Sequence, residues 1–337
     1  MTQNNDRESN IVEKHNRSNS IYFFKAIACF LIITIHAPIP KIGGGILHLA
    51  RCAVPFFIMV TGYYTNVEYD VLVRRAKKIF YLIVIATIIY LPLNILVHWA
   101  QGNMNFWLSE IQKPEILFKI IVLNWTTPIW GVGHLWYLFA FLYAFLIMAL
   151  ISRIFPIYKD RILIVWSTIS LLIIFLIQVY SEITGEMIEP IYWRNSFFLI
   201  VPCFMIGNFL KKSNEKLKEI SLATNVRLII LTIGIITLEH YALSVEYELY
   251  VSSILMGILI ILISGKIDVD NKLTIVGRNL SQWIYIIHYV FIVILNQLTP
   301  KNIYMAIRPF MFVIVTIMSI GGSEIIFYFN KKVMEIR

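Results

Sequence analysis

Lys25 and His36 are the first residues in this chain whose type and spacing could do chemistry. From Ile21 to His36 the sequence reads IYFFKAIACFLIITIH, nearly unbroken hydrocarbon with a cation near its start and an imidazole at its end. Ten residues separate the two. On a helix they stand roughly 16 Å apart along the axis, about half the hydrocarbon thickness of a bilayer. An ionisable group inside an apolar span is costly, so it marks a functional site, or else it snorkels to the nearest interface. The same two readings apply elsewhere. His134 follows Gly131 and Gly133 and opens an apolar helix beside Trp136 and Tyr137; it could line a pocket or sit in an interfacial aromatic belt. Arg51 and Arg194 fall near the ends of apolar runs, where they could snorkel or orient a carboxylate, a phosphate or an oxyanion. His288 lies mid-helix among Tyr285, Ile286, Ile287 and Tyr289, as a satisfied structural histidine or a reactive one. Glu324, in the last apolar run, reads as buried and in need of a partner. The histidines do not have zinc spacing, HExxH and HxxxxD are missing, and Cys29, Cys52 and Cys203 read as small core residues, so no metal is expected. No serine sits at nucleophile-elbow spacing with a histidine and an acid.

The elements that must position these residues are membrane helices. Hydrophobic residues make up 58% of the chain and charged residues 15%, with a mean hydropathy of +0.74; a soluble domain carries roughly 25% charge. Continuous apolar runs, not alternating ones, recur from end to end, which argues for helices over a barrel. The expectation is an all-α integral membrane protein of about ten transmembrane helices, near 20–38, 46–64, 77–99, 133–153, 161–180, 192–210, 226–243, 249–264, 280–298 and 306–329. Pro55 should break the second and Pro92 kink the third. The connection 104–130, rich in Phe106, Trp107, Phe118, Trp125 and Trp130, should lie against the interface. The first run is followed by no convincing small-x-small cleavage site and reads as a retained helix.

Basic residues set the orientation. With the N-terminus inside, 21 of the 29 lysines and arginines fall on the cytoplasmic side and seven on the outer side, Lys25 being the remaining one. Both termini are therefore expected in the cytoplasm. Residues 1–19 become a polar cytoplasmic tail, 20–330 the membrane domain and 331–337 a basic cytoplasmic tail. The net charge of +9 is then a topology signal and a contact with anionic membrane lipid; nucleic acid is not a partner, because no soluble basic domain exists to bind it. The outer acidic residues Glu182, Glu186 and Glu189, and Glu239, Glu246 and Glu248, read as solvated loop charge.

Five stretches in order give a resemblance. They are the basic-x10-His helix from Lys25 to His36, then ARCAVPFFIMVTGYY, GHLWYLFAFLYAFLI, RNSFFLIVPCFMIGNFL and LSQWIYIIHYVFIVIL. Together the chain resembles the acyltransferase-3 family of integral membrane acyltransferases, although that family more often has arginine at the position of Lys25. The wording around Arg51 and Arg194 also resembles the membrane portion of vancomycin-resistance membrane serine racemases, without a racemase domain following. The resemblance implies an O-acyltransferase of the bacterial plasma membrane. It would move an acyl group, most simply acetyl, from cytosolic acetyl-CoA to a hydroxyl of a cell-surface glycan or its lipid-linked precursor. His36 would be the general base, with His134 and His288 as further catalytic candidates. Lys25, Arg74, Arg75 and Lys78 would hold the coenzyme phosphates; Arg51, Trp136, Tyr137 and Arg194 would line the acceptor site. The alternative reading is a non-catalytic membrane module, or a transporter, for a small amino acid or a polysaccharide. The oligomeric state is not legible.

Overall fold

The computed structural model describes residues 19–40, 43–217, 219–243 and 247–335, so the N-terminal tail up to residue 18 and the final residues of the C-terminal tail lie outside the described residues. The described residues form an all-helical bundle. Its main elements are α1 (Asn19–His36), α2 (Gly43–Ala50), α3 (Ala53–Tyr63), α4 (Tyr69–Ala100), α5 (Trp136–Ile154) and α6 (Lys159–Thr184). They continue with α7 (Val201–Lys212), α8 (Leu222–Ala242), α9 (Val251–Ser264), α10 (Lys272–Asn279), α11 (Ser281–Val293) and α12 (Met311–Glu335).

Eight helical stretches among the described residues, not ten, are long and apolar enough to cross a membrane. The expected spans at 192–210 and 249–264 are the two that differ. The first starts late, because Pro190–Tyr192 is a tight 3-10 turn and Asn195 caps the wide turn Ser196–Ile200 that leads into α7. The second is α9, only 14 residues long. The second span is broken at Arg51–Cys52, not at Pro55. Pro55 sits in the first turn of α3, where its missing N–H would have had no partner. α4 runs through Pro92. The 104–130 connection forms short helices whose Phe106, Phe118 and Ile121 face outward, while the Trp107 indole is buried and donates to the Pro128 carbonyl at 2.7 Å. Glu324 corrects the sequence expectation: it lies on the exposed face of α12, because the helix turns Ser319 and Ser323 inward instead.

The bundle is apolar outside as well as inside. Ile88, Ile164, Ile230 and Ile317 point outward, while Phe56, Met59, Phe141, Phe145 and Phe204 are fully buried. A lipid surround explains both, since hydrocarbon tails impose no penalty on exposed isoleucine and helices satisfy their own backbone polar groups. With no water to drive helix against helix, close packing must do it. α3 and α7 show how. A methyl group on Gly62 would overlap the Phe204 carbonyl, and one on Gly207 would overlap the Met59 carbonyl, so the two backbones touch at reciprocal glycines.

Contacts at the helix ends segregate into two faces. On the face rich in lysine and arginine, Lys212 pairs with Asp160 at 2.7 Å, Lys211 reaches Asn66 at 3.0 Å and Arg278 reaches Asn19 at 2.6 Å. On the opposite face, Arg194 pairs with Glu248, the Tyr247 hydroxyl donates to Glu182 at 3.0 Å, and Gln178 donates to the Leu249 carbonyl at 2.6 Å. These are the groupings that alternating membrane crossings require.

Candidate functional site

α1 carries the axis of the site. Eleven residues make three helical turns with a residual rotation of about 20°, so Lys25 and His36 share one face. The start of α1 is pinned to the basic face: the Ser20 hydroxyl donates to the Ile267 carbonyl at 2.6 Å and accepts from the Val269 N–H at 3.0 Å. The Lys25 ammonium and the Arg278 guanidinium both lie over the Tyr22 ring, 5.6 and 5.0 Å from its centre. Cation–π contacts of this kind hold a charge at the edge of an apolar region.

His134 arrives on a loop, and the loop is built to hold it. The turn ending at Trp130 closes through Gly131 at φ +67°, a conformation that favours glycine. From α4, Asn94 donates to the Ile129 carbonyl at 3.0 Å and the Thr87 hydroxyl accepts from the Trp130 indole at 3.0 Å. The Thr126 hydroxyl donates to the Val132 carbonyl at 2.8 Å. The Tyr285 hydroxyl then donates to the carbonyl of His134 itself. The imidazole lies stacked on Tyr289, 5.1 Å between centres at 8°, with Tyr90 and Tyr285 against its edges and face. Its ring nitrogens are buried and make no well-formed hydrogen bond.

His288 comes from α11, about one turn beyond Tyr285 and two beyond Ser281. Its Nδ1 lies 3.0 Å from the Ile284 carbonyl and 2.9 Å from the Tyr285 carbonyl. The ring is fully buried and Nε2 has no partner. The three histidines, from three separate elements, thus meet: His36 is 5.5 Å from His288 and 6.4 Å from His134 between ring centres, and His134 is 4.9 Å from His288.

A guanidinium and a carboxylate occupy the far end. Asn195 accepts from the Phe197 and Phe198 N–H groups and so fixes the residue before it, Arg194. The Arg194 guanidinium lies over the Trp136 ring, 4.9 Å from its centre, and pairs with Glu248. Burial pulls the Arg194 group below its ordinary value, and Glu248 opposes that shift. Arg51 lies within electrostatic reach of both Arg194 and His36.

One internal cavity of about 410 Å³ joins these parts. Its lining runs from Lys25 past His36 and His134 to Arg51, Arg194 and Glu248. Trp136, Tyr137, Tyr285 and Tyr289 form aromatic walls, and Ser281 and Gln282 add polar groups. Seven of the sequence-selected residues therefore line one space: Lys25, His36, Arg51, His134, Trp136, Tyr137 and Arg194. His288 stands behind the wall, in contact with His36 and His134. Arg74, Arg75 and Lys78 do not line it. They lie on the first turns of α4 at the basic face, and the residues α4 sends into the cavity are Ile79 and Leu82. Glu248 was missed by sequence reasoning, which took it for solvated loop charge. The available signal was its setting between Tyr247 and Leu249, both of which are buried. Among the described residues no three His, Cys, Asp or Glu side chains, the three histidines included, are arranged so that they could hold a metal ion.

The geometry describes a multi-pass helical membrane protein with a histidine-lined internal cavity that carries cations toward both ends. The model of the acyltransferase-3 family, described as an acyltransferase domain, matches residues 18–328, and the chain belongs to that family. Among curated proteins it is similar to an amino-acid racemase from Enterococcus faecalis, 25% identical over 313 residues, which cover 85% of this chain and 42% of that protein. The chain thus spans about two fifths of the length of that relative. No solved structure matches.

Proposed function

We propose that the protein transfers an acyl group, most simply acetyl, from acyl-coenzyme A on the cytoplasmic side to a hydroxyl of a cell-surface glycan or its lipid-linked precursor. The observation that carries this reading is that one cavity beginning at Lys25 is lined by His36 and His134, with His288 against both. In this reading the bundle spans a bacterial plasma membrane with both termini inside, as the distribution of lysine and arginine favours. The donor thioester enters from the basic face, where Lys25 meets a phosphate or pantetheine carbonyl of the coenzyme. Arg74, Arg75 and Lys78 attract the coenzyme's negative charge from outside the cavity, where charge acts on encounter more than on hold. The acceptor enters from the opposite face between Arg51, Arg194, Trp136 and Tyr137.

His36 takes the hydroxyl proton as the oxygen bonds to the thioester carbonyl carbon. The carbon–sulfur bond then breaks, and the departing thiolate takes the proton back from the imidazolium. No acyl-enzyme is needed, which fits the lack of a serine at elbow spacing. The test is mass spectrometry of surface glycans from cells with and without the protein, paired with acetyl-coenzyme A turnover by the purified protein. Loss of an ester and a measurable turnover are expected; an unchanged glycan and an untouched coenzyme would sink the reading. The likeness to an amino-acid racemase favours a second one, a binding or transport module for a small amino acid, which would leave acyl-coenzyme A alone.

A further inference from the structure

We infer that His288 is a positioning residue that fixes the tautomer of His36, an inference that rests on the proposed acyl transfer. Its Nδ1 faces two backbone carbonyls, at 3.0 and 2.9 Å, and carbonyl oxygens only accept. Nδ1 therefore carries the proton. In a neutral imidazole the other nitrogen is then a bare lone pair. That nitrogen, Nε2, is buried and without a partner. It is on the edge of the ring away from the α11 backbone, and a buried acceptor left unsatisfied carries its full desolvation cost.

Two imidazoles lie close enough to supply the missing donor. His134 is clamped with its face on Tyr289 and its edges against Tyr90 and Tyr285. His36 ends α1, lines the cavity while mostly buried, and stands 5.5 Å from His288 with the rings tilted by 32°. Two five-membered rings joined by an N–H···N bond of about 2.9 Å have centres about 5 Å apart, so a small side-chain adjustment closes the bond. His36 then donates one ring N–H to His288 Nε2 and presents its other nitrogen, unprotonated, to the acceptor hydroxyl. Through the reaction His288 keeps its own proton. The hydroxyl proton moves to the free nitrogen of His36 and on to the departing thiolate, while the His36–His288 bond holds the imidazolium in place. The group that touches substrate is His36; His288 acts through it.

Two substitutions separate this from a structural role. His288→Asn keeps an N–H donor where Nδ1 stands and removes the acceptor at Nε2. His288→Gln places an amide oxygen near the Nε2 position and gives up the Nδ1 contacts. Positioning predicts that His288→Asn loses about 10- to 100-fold in kcat, the range typical of partners that orient a reacting imidazole, with KM for acetyl-coenzyme A unchanged. It also predicts that His288→Gln keeps most of the rate. A structural role predicts the reverse order, and that order overturns the inference while leaving acyl transfer standing. Nitrogen-15 NMR of histidine-labelled protein in lipid supplies a readout that needs no turnover. His288 should show a protonated Nδ1 and an unprotonated, hydrogen-bonded Nε2 whose shift moves in His36→Ala and not in His134→Ala. A protonated Nε2, or a response to His134→Ala alone, refutes the assignment even if the parent protein transfers acyl groups normally. A parent that turns over no acyl-coenzyme A removes the proposed function, and with it the role of His288.

Discussion

Glu248→Gln should injure the protein through Arg194. The guanidinium lies over Trp136 with Glu248 as its ion-pair partner, and the two side chains are 25% and 31% exposed. Two unit charges about 4 Å apart are worth about 4 kcal/mol at an effective dielectric of 20. Partial exposure screens that, and desolvation offsets more, leaving about 2 kcal/mol of net coupling. Glutamine keeps the shape and loses the charge, so Arg194 is left facing Arg51 with its partner neutralised. About 2 kcal/mol corresponds to roughly 30-fold in rate if the pair positions the acceptor end of the cavity. The assay is a double-mutant cycle of Glu248→Gln and Arg194→Met, read as the initial rate of acetyl-coenzyme A consumption in reconstituted vesicles. Each single change should cost about 30-fold and the double no more than either alone, because removing one charge already breaks the unit. Costs that multiply across the cycle would show that the two residues act separately, and the picture of a paired acceptor end would be wrong.

Other expectations are open to direct test. His36→Gln should lower acyl transfer by about 10²- to 10⁴-fold at normal membrane insertion, the usual cost of losing a general base; near-parental transfer would make the imidazole structural. Lys25→Ala should weaken binding of acyl-coenzyme A, measured by ligand-induced shifts in thermal unfolding, whereas Lys25→Arg keeps the charge and should not. Gly207→Leu sets a side chain against the Met59 backbone, which cannot swing away; accumulation in the membrane should collapse, since overpacking against fixed atoms costs about 3 kcal/mol or more. Orientation can be read by thiol labelling, because Cys29, Cys52 and Cys203 are buried and should stay silent. Cysteine at the exposed position Glu186 should label from outside intact cells and cysteine at Lys216 should not; the opposite result would invert the topology.

Much of the site was legible because expense leaves a mark. Lys25, His36, Arg51, His134, Arg194 and His288 stand out in sequence because each is polar in or beside an apolar run, and each carries a cost that calls for a function. What one sequence does not carry is which of them meet. That depends on helices distant along the chain: α1, the loop before α5, and α11, whose packing is set by small residues and close backbone contacts with no signature of their own. Glu248 was hidden for a different reason. In a loop a carboxylate is cheap, and only its pairing with Arg194 at the cavity wall sets this one apart from solvated loop charge. Glu324 failed in the opposite direction: an apolar run says that a segment crosses the membrane, not which of its sides faces the bundle. The count of long helices fell short of ten because hydropathy averages over a window. It cannot see that Asn195 caps a wide turn and starts α7 late.

The placement of charge inside the bundle follows from what the medium allows. A lone cation in hydrocarbon is ruinous, so each one here sits at a helix end, on an aromatic ring or beside a carboxylate. Lys25 and Arg278 share Tyr22, and Arg194 has Trp136 and Glu248. Between those two charged ends the cavity contains imidazoles, which are the groups that can be neutral at rest and still accept a proton. A fixed charge at mid-depth would need a partner that occupied the reacting space. In the proposed transfer, neutral histidines leave that space open and become charged only for the lifetime of the step. The order along the cavity, cation, then imidazoles, then guanidinium with carboxylate, thus follows from the cost of charge in hydrocarbon. It is also the order a transfer between an anionic donor on one side and a hydroxyl acceptor on the other requires.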